Sequence, residues 1–346
     1  MWSKMHNSST PTSLPPTACY HLHPLVINTV RYEPDNKTSA VTVFTCAFMA
    51  LACPCAIVAN VMVFLGVLRK PELRNIYNTS ILFLATSDLL TGLITHPSFI
   101  AYQGSKLTKP EQDFSCIALV IYSYTNFMFT GLSVITIILM TLERYLAIFQ
   151  PYKYQAFVTK RRLVTTISLV WVIWVTFITL VRFSPGARSG LFGVIAGVLL
   201  VPCILLTMFV YCKVYCLTRR IRVSIGHELT TPRNAADIQE TKSSRTVAYL
   251  AGAVVVCFLP TIAVIIIQET NAIDANYFFH LLYPLTESAV LLTPVFDPVI
   301  YMLRSSKLKA SLRELLRDRV LYTQPTSRTR ATTLSTGLNL EMTVRS

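Results

Sequence analysis

Seven long apolar stretches run through the 346-residue chain, near 40–68, 76–102, 114–143, 162–182, 191–217, 246–268 and 278–302. A helix needs about 20 apolar residues to cross a hydrocarbon core of roughly 30 Å. At that depth the backbone has no water to bond, so it must satisfy itself within a helix or close into a barrel. The runs are continuous rather than alternating, which selects helices. Hydrophobic residues make up 53% of the chain and charged ones 14%, too few charges to cover a soluble protein of this length. The expected fold is an all-α membrane protein, a seven-transmembrane helix bundle.

Basic residues set the orientation. Lys4, Arg31, Lys37, Lys106, Lys109, Arg182 and Arg188 fall on one side and the other 24 of 31 on the opposite side. The more basic side faces the cytoplasm, so the N-terminus is expected outside and the C-terminus inside. The net charge of +14 then reflects topology and contact with anionic membrane lipid. It does not point to nucleic acid, because it is spread over four short segments. Residues 1–39 are expected as an extracellular segment without a signal peptide, 40–302 as the bundle, 303–319 as a short amphipathic cytoplasmic helix, and 320–346 as a disordered tail.

Sequons occur at Asn7, Asn36 and Asn78. The first two lie on the outer side and are the expected glycan sites; a glycan on Asn78 would contradict the orientation. Seven of nine cysteines fall in or beside spans and read as small apolar packers. Cys19 and Cys116 lie outside and are the candidate disulfide pair in an oxidising exterior.

Polar groups inside the spans carry the functional signal. The first span holds Asn60, the second Leu84-Ala85-Thr86-Ser87-Asp88, and the third Ser133 before ending in Glu143-Arg144-Tyr145. Trp171 lies in the fourth. The sixth contains Cys257-Phe258-Leu259-Pro260 and the seventh Asp297-Pro298-Val299-Ile300-Tyr301. These six motifs, in order and in the right spans, resemble the rhodopsin-like (class A) G-protein-coupled receptors over roughly residues 40–317.

The resemblance implies a receptor that binds an extracellular ligand in the bundle and activates heterotrimeric G proteins at the plasma membrane. Glu143, Arg144, Tyr145, Phe258, Pro260, Asp297, Pro298 and Tyr301 would form the activation switch. Pro260 and Pro298 each remove a backbone hydrogen bond and so mark hinges. Asp88, Ser133, Asp297 and Asn60 would converge on an allosteric sodium ion; a hydrated cluster without an ion is the plainer reading. Ser and Thr residues between Thr326 and Thr336 would recruit receptor kinases and arrestin.

The chain also departs from the family. Leu119 stands where the usual third-span cysteine would be, and the loop 182–190 has none. That short loop and Asp297-Pro298 are similar to melanocortin receptors, whereas Pro202 is not. Asn126 occupies the position where aminergic receptors carry aspartate. Glu287 lies about three turns above Pro298 and, with Tyr122, Asn126, Phe127, Phe258, His280 and Tyr283, forms the candidate ligand site for a cation. A structural pairing of Glu287 with His96 or His280 is the alternative. A melanocortin-like peptide is the expected ligand, with nucleoside, lipid or atypical amine open. Residues 277–303 contain no lysine for a retinal Schiff base. No nucleophile–base or metal constellation marks an enzyme, and a secondary transporter would show repeats.

Overall fold

The structure is a computed structural model that describes residues 35–108, 112–183, 235–269, 277–304, 308–314 and scattered positions between 201 and 217, together with 317. All described elements are helical. The first span is α1 (Asn36–Arg69). The second is α2 (Ile76–Leu90), a π turn at Thr91–Thr95, and α3 (His96–Thr108). The third is α4 (Gln112–Phe149), followed by the short α5 (Pro151–Phe157). The fourth is α6 (Lys160–Phe183) and the sixth α7 (Ala235–Glu269). The seventh is a π turn at Phe278–Leu282, then α8 (Tyr283–Val290) and α9 (Thr293–Arg304). Only scattered helical residues of the fifth span are described. Among the described residues, α1, α4 and α6 are long and apolar enough to cross a membrane.

Local chemistry sets the helix ends. Asp35 caps α1: its carboxylate accepts from Thr38 N–H at 2.6 Å, while the Thr38 hydroxyl accepts from Asp35 N–H at 3.1 Å, a reciprocal capping box. The Thr38 N–H holds the Asp35 carboxyl below its ordinary range. Asn75 caps α2 through Asn78 N–H at 2.8 Å. Asn78 itself is buried and its amide donates to Leu73 O at 2.8 Å, so this sequon is consumed by packing. Asn36 is exposed as the first residue of α1, and Asn7 lies outside the described residues.

Prolines shape the second and seventh spans. Pro97 and Pro284 have no N–H for the carbonyl four residues back, and each follows a π turn that absorbs the missing bond. The seventh span breaks again at Leu291–Leu292, ahead of Pro294 and Pro298. There Val295 N–H bonds Leu292 O at 2.9 Å rather than Leu291 O. The freed Leu291 carbonyl is taken by His96 Nε2 at 2.9 Å. Pro298 likewise leaves Pro294 O without its helical donor, and Asn60 Nδ2 supplies one at 2.8 Å. Thr293 Oγ1 donates to Val290 O at 2.9 Å, the carbonyl that Pro294 cannot reach. The carbonyls of Val290, Leu291 and Pro294 therefore each have a side-chain donor, as burial demands.

Among the described residues, two apolar clusters pack the bundle. One gathers Val63, Leu84, Met140, Leu250 and Tyr301, with Phe258 packed against it. The other gathers Met49, Phe99, Tyr122 and Leu291. The fourth span is pinned to the third by Trp171 Nε1 donating to Thr136 Oγ1 at 3.0 Å and Trp174 Nε1 donating to Met128 O at 3.1 Å. Residues 308–314 form a helical turn seated on α1: Leu308 and Leu312 are buried, and Ser311 Oγ donates to Gly66 O at 2.9 Å. Lys309 and Arg313 face outward, the pattern of an interfacial helix.

Candidate functional site

Polar side chains converge at three levels of the bundle. At one end, Arg144 and Glu143 are both buried, at 6% and 4% exposure. Arg144 Nε donates to Glu143 Oε2 at 2.7 Å, and a second guanidinium nitrogen donates to Oε1. A bidentate pair of this kind is among the strongest side-chain contacts available. Two further residues that the sequence did not single out complete it. Tyr154, on α5, donates to Glu143 Oε1 at 2.7 Å, and the Tyr77 ring lies 5.2 Å from the Arg144 guanidinium carbon. Tyr145 packs against the tilted ring of Phe149 instead. Tyr301 is fully buried in the same cluster as Leu250, and Pro260 is exposed on the outer face of α7.

In the middle, Ser133 donates to Asp88 Oδ1 at 3.0 Å and shares a 2.8 Å contact with Ser87. Asp88 and Asp297 are fully buried and close enough to feel one another's charge. Asp88 Oδ2, both Asp297 oxygens, Asn60 Oδ1 and the Tyr301 hydroxyl have no hydrogen-bond partner. Orphaned buried oxygens cost free energy. An oxygen-rich set of this kind fits a hard monovalent cation, or a proton shared by the two carboxyls.

At the far end, the seventh span delivers Glu287 into the bundle with 5% exposure. Its Oε2 accepts from Tyr122 Oη at 3.0 Å and from Asn126 Nδ2 at 2.7 Å, and Tyr283 also bonds this carboxylate. Thr130 Oγ1 in turn donates to Asn126 Oδ1 at 3.2 Å. Tyr122 packs edge-on to Phe99 and stacks with Tyr102, ring centroids 5.1 and 6.2 Å apart.

Of the sequence-predicted ligand residues, the structure therefore joins Tyr122, Asn126, Tyr283 and Glu287. His280 is buried on the π turn at the head of the seventh span, and Phe127 is half-buried. Phe258 packs lower, in the cluster with Tyr301. His96 spends its Nε2 on Leu291 O. Cys116 is disulfide-bonded, while Cys19, the loop 184–190, Pro202 and the tail beyond 317 lie outside the described residues.

Comparison with known proteins agrees with this layout. The family described as "7 transmembrane receptor (rhodopsin family)" matches residues 59–190. The histamine H2 receptor of Rattus norvegicus is 28% identical over 240 residues, 63% of this chain and 64% of that protein. Melanopsin of Branchiostoma belcheri is 31% identical over 129 residues, 36% of this chain and 17% of the relative. The octopamine receptor beta-1R of Drosophila melanogaster is 25% identical over 141 residues, 40% and 27% of the two chains. The chain thus spans just under two thirds of the length of the histamine H2 receptor that it matches. The melanocortin-like peptide expected from the short loop gains no support from these relatives, two of which bear the names of amine receptors.

Proposed function

Because the chain belongs to the rhodopsin family of seven-transmembrane receptors, we propose that it binds a cationic extracellular ligand at Glu287 and signals through heterotrimeric G proteins. The observation that carries this reading is the 2.7 Å bond from Asn126 Nδ2 to Glu287 Oε2. The aminergic pattern puts a carboxylate at the Asn126 position. Here a carboxylate reaches that place from the seventh span instead. An amine can therefore meet the negative charge it needs even though the third span offers only an amide. The melanocortin-like peptide is set aside in favour of the amine alternative.

The Glu143–Arg144 pair, with Tyr154 and Tyr77 around it, acts as the resting lock at the cytoplasmic end. Ligand binding favours a state in which the lower part of α7 swings about Pro260 and Arg144 is released to the G protein. A ligand shifts that equilibrium only by the difference in its affinity for the two states. The N-terminus is outside and the C-terminus inside, and the protein resides in the plasma membrane. Glycans on Asn7 or Asn36 and tail recognition by receptor kinases and arrestin belong to the same proposal.

The oxygens between Asp88 and Asp297 hold sodium in the resting state. The support is the set of unpartnered oxygens on Asp88, Asp297 and Asn60. Sodium should then lower agonist affinity in membranes, and Asp88→Asn should abolish the effect; sodium-independent affinity in the wild type removes this part of the proposal. Glu287→Gln tests the ligand site. Agonist potency should fall at equal surface expression, and unchanged potency refutes the assignment.

A further inference from the structure

Near the end of α3 the second span holds two buried polar atoms that none of the roles above uses. Lys106, in the last turn of α3, has its Nζ buried with no hydrogen-bond partner. One turn earlier on the same face, Gln103 is 2% exposed and its Oε1 also lacks a donor. Residues three apart on a helix are neighbours, so an unanswered cation and an unanswered acceptor sit side by side.

The Lys106 ammonium stands 4.6 Å from the centroid of the Tyr102 ring. Attraction of a cation to a ring face is a weak contact. Burying an ammonium without hydrogen bonds costs more than that. A buried amine of this kind is answered either by an anion or by giving up its proton, and an anion is the answer that also gives Gln103 a use. Tyr102 stacks on Tyr122 at 6.2 Å and 10° between planes, and Tyr122 Oη donates to Glu287. Lys106 and Glu287 thus terminate one aromatic column of two rings, a cation at one end and a carboxylate at the other.

Building on the assignment of Glu287 to a cationic ligand, we infer that the ligand is a zwitterion whose ammonium and carboxylate stand at opposite ends of an apolar spacer, as in an ω-amino acid. Its ammonium is held by Glu287 and its carboxylate by Lys106, with its apolar part along the Tyr102–Tyr122 rings. Gln103 Oε1 accepts an N–H or O–H from the same molecule. A simple amine would leave Lys106 buried and unanswered.

The test uses the whole chain and matched pairs that differ by one terminal carboxylate: 6-aminohexanoic acid and pentylamine, 8-aminooctanoic acid and heptylamine, 4-(aminomethyl)phenylacetic acid and 4-methylbenzylamine. Two readouts are taken, G-protein dissociation in cells and the ligand-induced rise in melting temperature of the purified receptor. At least one amino acid should act at lower concentration than its amine. In Lys106→Gln that advantage should disappear, a loss on the order of ten- to a hundredfold, while the response to the amine is unchanged. Lys106→Arg, which keeps the charge, should retain the preference and serves as the folding control. Glu287→Gln should weaken both members of the pair. An amine that acts as well as or better than its amino acid, with no effect of Lys106→Gln, overturns the inference and leaves the Glu287 assignment standing if Glu287→Gln abolishes that response. A wild-type receptor unmoved by every amino acid in both readouts also overturns it.

Discussion

Moving the carboxylate from the seventh span to the third should move the cation site with it. Glu287 Oε2 already contacts Asn126 Nδ2 at 2.7 Å, so the exchange Asn126→Asp with Glu287→Gln carries the charge across one hydrogen bond. Glu287→Gln alone keeps the side-chain shape and an acceptor for Tyr122, yet removes the negative charge from a site with 5% exposure. Truncating one partner of a buried charge pair costs about 2–5 kcal/mol, which is roughly 30-fold to roughly 5,000-fold in potency. The double exchange should recover most of that loss, to within about tenfold of wild type. Asn126→Asp alone places two carboxylates in contact, and one of them is then forced to hold a proton. The assay is a concentration–response curve for G-protein dissociation with the cationic ligands that activate wild type, normalised to surface expression. A Glu287→Gln receptor as potent as wild type would refute the reasoning, as would a double variant no better than Glu287→Gln.

Other consequences are independent of ligand. A Cβ added at Gly131 would fall 2.2 Å from the Trp174 ring, so Gly131→Ala should destabilise the purified receptor by about 1–3 kcal/mol; an unchanged melting temperature would contradict the third–fourth span packing. Asn60→Leu leaves Pro294 O buried without a donor, a cost of about 1–3 kcal/mol, visible as a lowered melting temperature and faster amide exchange near residues 291–298. The Asp35 carboxyl is held below its ordinary range by Thr38 N–H. The cap's contribution is therefore fully present above the unfolded carboxylate value and is lost as pH falls through the lowered folded one. Amide exchange in the first turn of α1 should rise in acid, and Asp35→Asn should remove that pH dependence.

The seven-helix layout was legible because membrane burial writes itself as long apolar runs, and because a polar residue in such a run stands out. Asn60, Asp88, Asp297 and Glu287 were all visible for that reason. Their partners were less so. Counting turns from Pro298 put Glu287 toward the bundle, and counting back from Arg144 put Asn126 in the same region. That their side chains meet depends on the π turn before Pro284 and the break at Leu291, which shift the register of the seventh span. His96 looked like a carboxylate partner, but the carbonyl freed at that break claims it. Tyr154 was hidden because it lies past the span, on a short helix started by Pro151. Lys106 counted only as an outer-side charge; nothing in the sequence signals that its ammonium is buried. The relatives redirect the ligand reading from peptide to amine, a distinction the short loop could not carry.

Coupling to G proteins through Arg144 is the claim on which the rest depends, and G-protein dissociation from surface-expressed receptor, wild type against Arg144→Ala, tests it most directly. The account predicts a response to amine or amino-acid ligands in the wild type that is lost in Arg144→Ala at equal surface expression. A response of equal size in both receptors, or none from a well-expressed wild type, would contradict it.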